Sequence, residues 1–155
     1  MKISKRAQDV PASATIAVTA RAQELKAQGV DVIGFGAGAP DFDTPDYIKD
    51  AAIEALKAGK TKYTAASGIP ELRAAIAKKL QKENGLKYTP EQVIVNIGGK
   101  HSVYEAMQAV LDPGDEVILP TPYWVTYPET VKLAGATSKI VQTDKSTGYK
   151  ITQTS

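Results

Sequence analysis

Apolar residues along the chain fall into two alternating patterns. One recurs at helical spacing. Ile48, Ala52, Ala55 and Leu56 share a helical face, as do Leu72, Ala75, Ile76 and Leu80, and then Val103, Met107, Val110 and Leu111. The other is a short apolar run, at 30–35, 93–97, 116–119 and 137–142, of the kind that fills a buried strand. The run at 93–97 is β-branched at every position but Asn96.

Start and stop signals bracket the helical stretches. Ser13 caps a helix over 13–28 that Gly29 ends. Thr44 as cap and Pro45 at the first helical position open the next, which stops at Gly59. Pro70 opens a third, closed by Asn84 and Gly85, and Gly98-Gly99 precedes a fourth. Asp112-Pro113-Gly114-Asp115 is a turn. Thr121-Pro122 opens a helical stretch reaching Gly135, irregular around Pro128. The first dozen residues lack periodicity and read as an arm, and the end from Thr143 is polar. Strands alternating with helices predict an α/β fold with a largely parallel sheet. Ligands of such sheets sit beyond the C-terminal strand ends. The loops 36–44, 98–101 and 120–124 are therefore the places to look.

Composition narrows the chemistry. The 155 residues are 43% hydrophobic and 23% charged, which suits a globular domain with a core. A net charge of +2 from 19 basic and 17 acidic side chains gives no electrostatic case for nucleic acid or an anionic membrane. With no cysteine and His101 as the one histidine, disulfides, thiolate metal sites and a zinc centre are not expected. No apolar run has the length of a membrane span, and the basic start has no apolar stretch behind it. A cytoplasmic protein is the expectation.

Gly98-Gly99-Lys100 joins a strand to a helix start, where free N–H groups and the helix dipole favour an anion and Lys100 adds charge. The competing reading is a tight turn with a solvated lysine. Trp124, the only tryptophan, follows the next strand, where it either stacks on a flat ring or serves as a packing aromatic. Gly34 to Ala39 matches the dinucleotide pattern G-x-G-x-x-A, but Pro40 and Asp41 fall where its helix would run, and Glu54 lies inside a helix instead of at a strand end. The glycines Gly34, Gly36 and Gly38 serve better to let the backbone approach a small ligand. Tyr63, between two helices, offers a hydroxyl to an anion or simply packs. His101 takes no assigned role.

Taken in order, Ser13-Ala14-Thr15, the Gly36–Phe42 stretch with Thr44-Pro45, Thr61-Lys62-Tyr63, Gly68 to Leu72, Val95 to Lys100, Asp112 to Val117, and Pro120 to Trp124 with Tyr127-Pro128 resemble the class I aminotransferases dependent on pyridoxal 5'-phosphate (PLP). The bacterial aspartate aminotransferase branch is the nearest in pattern. The resemblance covers essentially the whole chain, and the order and spacing of the motifs make it specific. It implies fold type I, with an N-terminal arm at 1–12, a small-domain segment and substrate loop at 13–44, and an incomplete PLP-binding large domain at 45–155. It implies that Gly99 and Lys100 bind the PLP phosphate and that Trp124 stacks on the pyridine ring and borders the substrate. It further implies that Gly38 lies against the substrate carboxylate and that Tyr63 reaches the phosphate of a neighbouring subunit in a homodimer.

The implied reaction moves an amino group between an amino acid and a 2-oxo acid. Ala39 stands where family members often carry Glu, and Val10-Pro11-Ala12 stands where broad-specificity relatives carry a lysine. The second departure favours aspartate over prephenate. The family's Schiff-base lysine, and the aspartate, asparagine, tyrosine and arginine that complete its site, lie downstream of the region matched. No catalytic residue is therefore expected in this chain, and the isolated chain is expected to be inactive. The alternative is a non-catalytic phosphate- or PLP-binding fragment, or a truncation product ending in an altered Gln153-Thr154-Ser155.

Overall fold

The computed structural model describes residues 2–36 and 38–152. Ala37 in the glycine stretch and the terminal Gln153, Thr154 and Ser155 lie outside the described residues. The chain divides into two compact units, Pro11–Tyr63 and a second made of 2–10 with 64–152.

In the first unit, α2 (Ala14–Ala27) follows a short α1 (Lys5–Gln8) that belongs to the other unit. The Ser13 hydroxyl accepts the Ile16 N–H at 3.4 Å, so the expected cap is in place. α3 (Asp46–Lys57) begins one residue later than the sequence predicts: Pro45 is the cap, and no side chain completes it. Thr44, the expected cap, lies one residue outside the cap position, and its N–H donates to Asp43 Oδ1 at 2.7 Å. Among the described residues of this unit no side chain is buried. The expected strand at 30–35 forms no ladder, and Ile33 and Phe35 face solvent. An apolar run becomes a strand only where a neighbour takes its N–H and C=O groups.

The second unit carries the core. α4 (Pro70–Asn84) has Pro at its first turn and Gly85 in the left-handed conformation at its end. Its inner stripe is the buried Ala77 with the half-buried Arg73, Ile76 and Leu80, while Leu72 and Ala75 turn outward, contrary to the expected face. Arg73 Nε donates to the carbonyls of Pro90 at 2.8 Å and Val93 at 3.0 Å, pinning the 90–93 segment beneath the helix. The 93–97 run is the second expected strand that the structure does not form. Its one backbone bond to a segment distant in sequence is Val95 N–H to Ser67 C=O at 3.0 Å, and beside it Gly68 has φ +97° with Val95 Cγ2 2.7 Å from where a Cβ would stand. Val93 is buried, but Ile97 is 90% exposed.

α5 (Gly99–Val110), β1 (Glu116–Pro120), α6 (Thr126–Leu133) and β2 (Thr137–Val141) follow as the pattern predicts, except that α6 starts later and holds Pro128 in its first turn, where its missing N–H costs nothing. β1 and β2 pair in parallel, Glu116 opposite Thr137 through Pro120 opposite Val141. α6 makes the crossover that a parallel pair needs. Leu119, Val131, Ala136, Thr126 and Thr130 are buried around this β–α–β unit. The arm is not wholly irregular: α1 is capped by Ser4, and the Asp9 carbonyl accepts from Lys132 Nζ of α6 at 3.1 Å.

Candidate functional site

The turn before α5 is built from local hydrogen bonds. Gly98 has φ +80°, a left-handed conformation that a side chain would strain, and it is the helix cap. Its N–H donates to Asn96 C=O at 2.9 Å, and its own carbonyl accepts the Ser102 N–H at 3.3 Å. Asn96 Nδ2 reaches Ser102 Oγ at 3.3 Å and braces the turn from the segment before it. No side chain caps α5, and the N–H groups of Gly99, Lys100 and His101 have no acceptor among the described residues. A Cβ at Gly99 would meet no atom within 4 Å, so protein does not wall off the turn. Free donors at the positive end of a 12-residue helix suit an anion.

The second loop is held by the ends of the two strands. Thr121 donates its N–H to Val141 C=O at 2.9 Å, and its hydroxyl accepts the Thr143 N–H at 3.0 Å. The Thr143 hydroxyl donates to the Thr121 carbonyl. The Thr121–Pro122 peptide is cis. From this clamp the chain runs to Trp124, whose carbonyl accepts the Tyr127 N–H at 3.0 Å as α6 begins. Tyr127 meets the indole edge to face, centroids 5.6 Å apart at 89°. Trp124 remains 44% exposed.

The two loops meet. Lys100 Nζ lies over the Trp124 ring, 5.3 Å from its centroid, within cation–π range. Sequence reasoning named both residues but missed their contact and the role of Tyr127, because neither leaves a local spacing signal. His101 Nε2 lies 3.1 Å from Glu105 Oε1, an i,i+4 pair that its spacing on α5 could have revealed, while Nδ1 is buried without a partner.

Gly38 and Tyr63 belong to the other unit. A Cβ at Gly38 would stand in open space, which leaves that backbone approachable, and Tyr63 is fully exposed beside Thr61 and Lys62. At the end of the glycine loop, Lys49 Nζ bridges Asp43 at 2.7 Å and Asp46 at 2.8 Å. The Lys49 ammonium, and after it the Thr44 N–H, hold the Asp43 carboxyl below the usual carboxylate range, and the same pairing raises Lys49. Among the described residues no cluster of three or more metal-ligating side chains occurs, and no helix is long and apolar enough to cross a membrane.

Free N–H donors, an ammonium and a half-exposed indole within one unit form a donor set for a phosphate attached to a flat ring. The fold around it is that of the fold type I transferases, present in part. The family model for aminotransferase class I and II matches residues 30–155, and the chain belongs to that family. It is 61% identical over 143 residues to an aspartate/prephenate aminotransferase of Cereibacter sphaeroides, covering 92% of this chain and 36% of that one. It is 53% identical over 152 residues to an aspartate aminotransferase of Geobacillus stearothermophilus, covering 98% and 39%. The structure superposes on the aspartate aminotransferase of Thermus thermophilus with maleate at a TM-score of 0.92 and 52% identity, over 96% of this chain and 39% of that one. The chain thus spans well under half the length of these relatives.

Proposed function

We propose that these residues supply the phosphate- and ring-binding part of a PLP-dependent aminotransferase that moves an amino group between L-aspartate and a 2-oxo acid. The observation that carries this reading is the convergence of the open Gly99–His101 N–H groups, Lys100 and Trp124. The N–H groups donate to phosphate oxygens, Lys100 balances their charge, and Trp124 offers a face to the pyridine ring. PLP, once bound, supplies the electron sink of the reaction. Gly38 admits the substrate carboxylate close to the backbone, and Tyr63 donates its hydroxyl to the phosphate held by a second copy in a cytoplasmic homodimer.

The lysine that bonds to the cofactor is not among these residues in this reading. Lys100 belongs to the phosphate turn. Residues 1–155 on their own therefore bind PLP without turnover.

An absorption titration tests this. PLP is added to residues 1–155, then L-aspartate. Saturable binding that inorganic phosphate competes away, with no conversion of bound PLP to the pyridoxamine form, is expected. Conversion would place a competent lysine within these residues and overturn the division of labour. In the complete polypeptide, L-aspartate is the expected donor and prephenate is not an acceptor. Prephenate turnover comparable with that of other 2-oxo acids would sink the aspartate reading drawn from Val10-Pro11-Ala12.

A further inference from the structure

We propose that Lys100 couples the two halves of the site: its ammonium covers the Trp124 ring until an anion reaches the Gly99 turn, and the anion draws it away and opens the indole to a flat ring. This rests on the reading of the site given above. Lys100 is the second residue of α5, so its backbone N–H belongs to the anion-binding turn while its side chain lies over the indole, 5.3 Å from the centroid. No carboxylate among the described residues pairs with it, unlike Lys49, Lys57, Lys79, Lys132 and Lys139. Its partner is the indole of Trp124.

The two partners are unequal. An ammonium over an exposed indole is weakly held, whereas a phosphate dianion seated on N–H groups of the same turn attracts it through full charges and a charge-assisted hydrogen bond. When the anion arrives, the ammonium moves to it. The indole, still braced by the Tyr127 ring, then presents an uncovered face. The displaced cation–π contact sets the size of the coupling, about two- to fivefold in affinity, and the coupling is reciprocal. The consequence is selectivity. A phosphorylated pyridine compound opens the ring platform as it binds, while an unphosphorylated one must displace Lys100 unaided.

The test separates ring from phosphate in the cofactor-free form of the complete chain. Pyridoxine, which has no aldehyde to react with amines, is titrated with and without saturating inorganic phosphate. Trp124 emission is the readout, with Trp124→Phe as the blank. Phosphate is expected to tighten pyridoxine binding about two- to fivefold. Lys100→Met should bind pyridoxine without phosphate as tightly as the unaltered chain does with it, and show no coupling. Lys100→Arg keeps the charge and the stack, so it should keep the coupling and guards against loss of fold as an explanation. Equal pyridoxine affinity with and without phosphate, or coupling that survives in Lys100→Met, overturns the proposal while PLP binding stands. If PLP itself leaves Trp124 emission unchanged, the reading of the site falls and this proposal with it.

Discussion

Lys49 stands between two carboxylates at the point where the glycine loop becomes α3, so its charge fixes the loop end. Asp43 is depressed, and its contribution to stability is present above its unfolded pKa and lost as pH falls through the lower folded value. Lys49 is raised, and its contribution is present below its unfolded pKa and lost as pH rises through the higher folded value. The pair therefore supports the loop across the neutral range and releases it at both extremes, weakly, because both groups are solvated. Carboxyl-carbon NMR should show Asp43 titrating below ordinary aspartate. In Lys49→Met that pKa should rise but stay somewhat low, since the Thr44 N–H remains. No change on substitution would refute the assignment. Gly68 makes a sharper demand. Gly68→Ala places a Cβ against Val95 in a left-handed backbone, and a loss of about 1–3 kcal/mol is expected in denaturant melts. Both residues of the Lys100–Trp124 pair were legible as strand-end chemistry, but their contact was not. They are far apart in sequence, and only the packing of α5 against α6 brings them together.

Among the elements, helices were legible because their signals are local. Ser13, Pro70, Gly85 and the Gly98-Gly99 turn each act within one turn of chain. Ser13→Ala should cost α2 about 0.5–1 kcal/mol, visible as faster amide exchange at its first turn. Unchanged exchange there would mean the 3.4 Å bond contributes nothing. Strands were half legible. The runs at 116–119 and 137–142 pair with each other, whereas those at 30–35 and 93–97 have the composition of strands and no ladder. Composition reports what a segment can bury, and a ladder also needs a partner elsewhere in the chain. Where the β–α–β unit is complete it is packed: Val131 on α6 is 1% exposed. Val131→Ala should cost on the order of 2 kcal/mol. A loss well under half of that would show that the unit collapses around the gap.

At the scale of the molecule, the apolar surface is large. Ile94, Ile97 and Ile118 are each about two-thirds exposed or more, and the described part of Pro11–Tyr63 buries no side chain. Surfaces of this extent normally meet other protein. Residues 1–155 by themselves are expected to bind the dye ANS through these faces while the β–α–β unit around Val131 stays packed. A lack of dye binding would contradict that. The sequence announced the α/β class and not this imbalance, because periodicity tells which face is apolar and not what will cover it. One part escapes the imbalance. Every paired position of β1 and β2 is separated by the same short span of chain, with α6 inside it. All the strand pairings of this parallel crossover are therefore close in the order of synthesis. During translation the crossover can close as soon as Thr143 clears the ribosome, so the clamp on Thr121 that leads to Trp124 forms without waiting for any residue beyond Thr143.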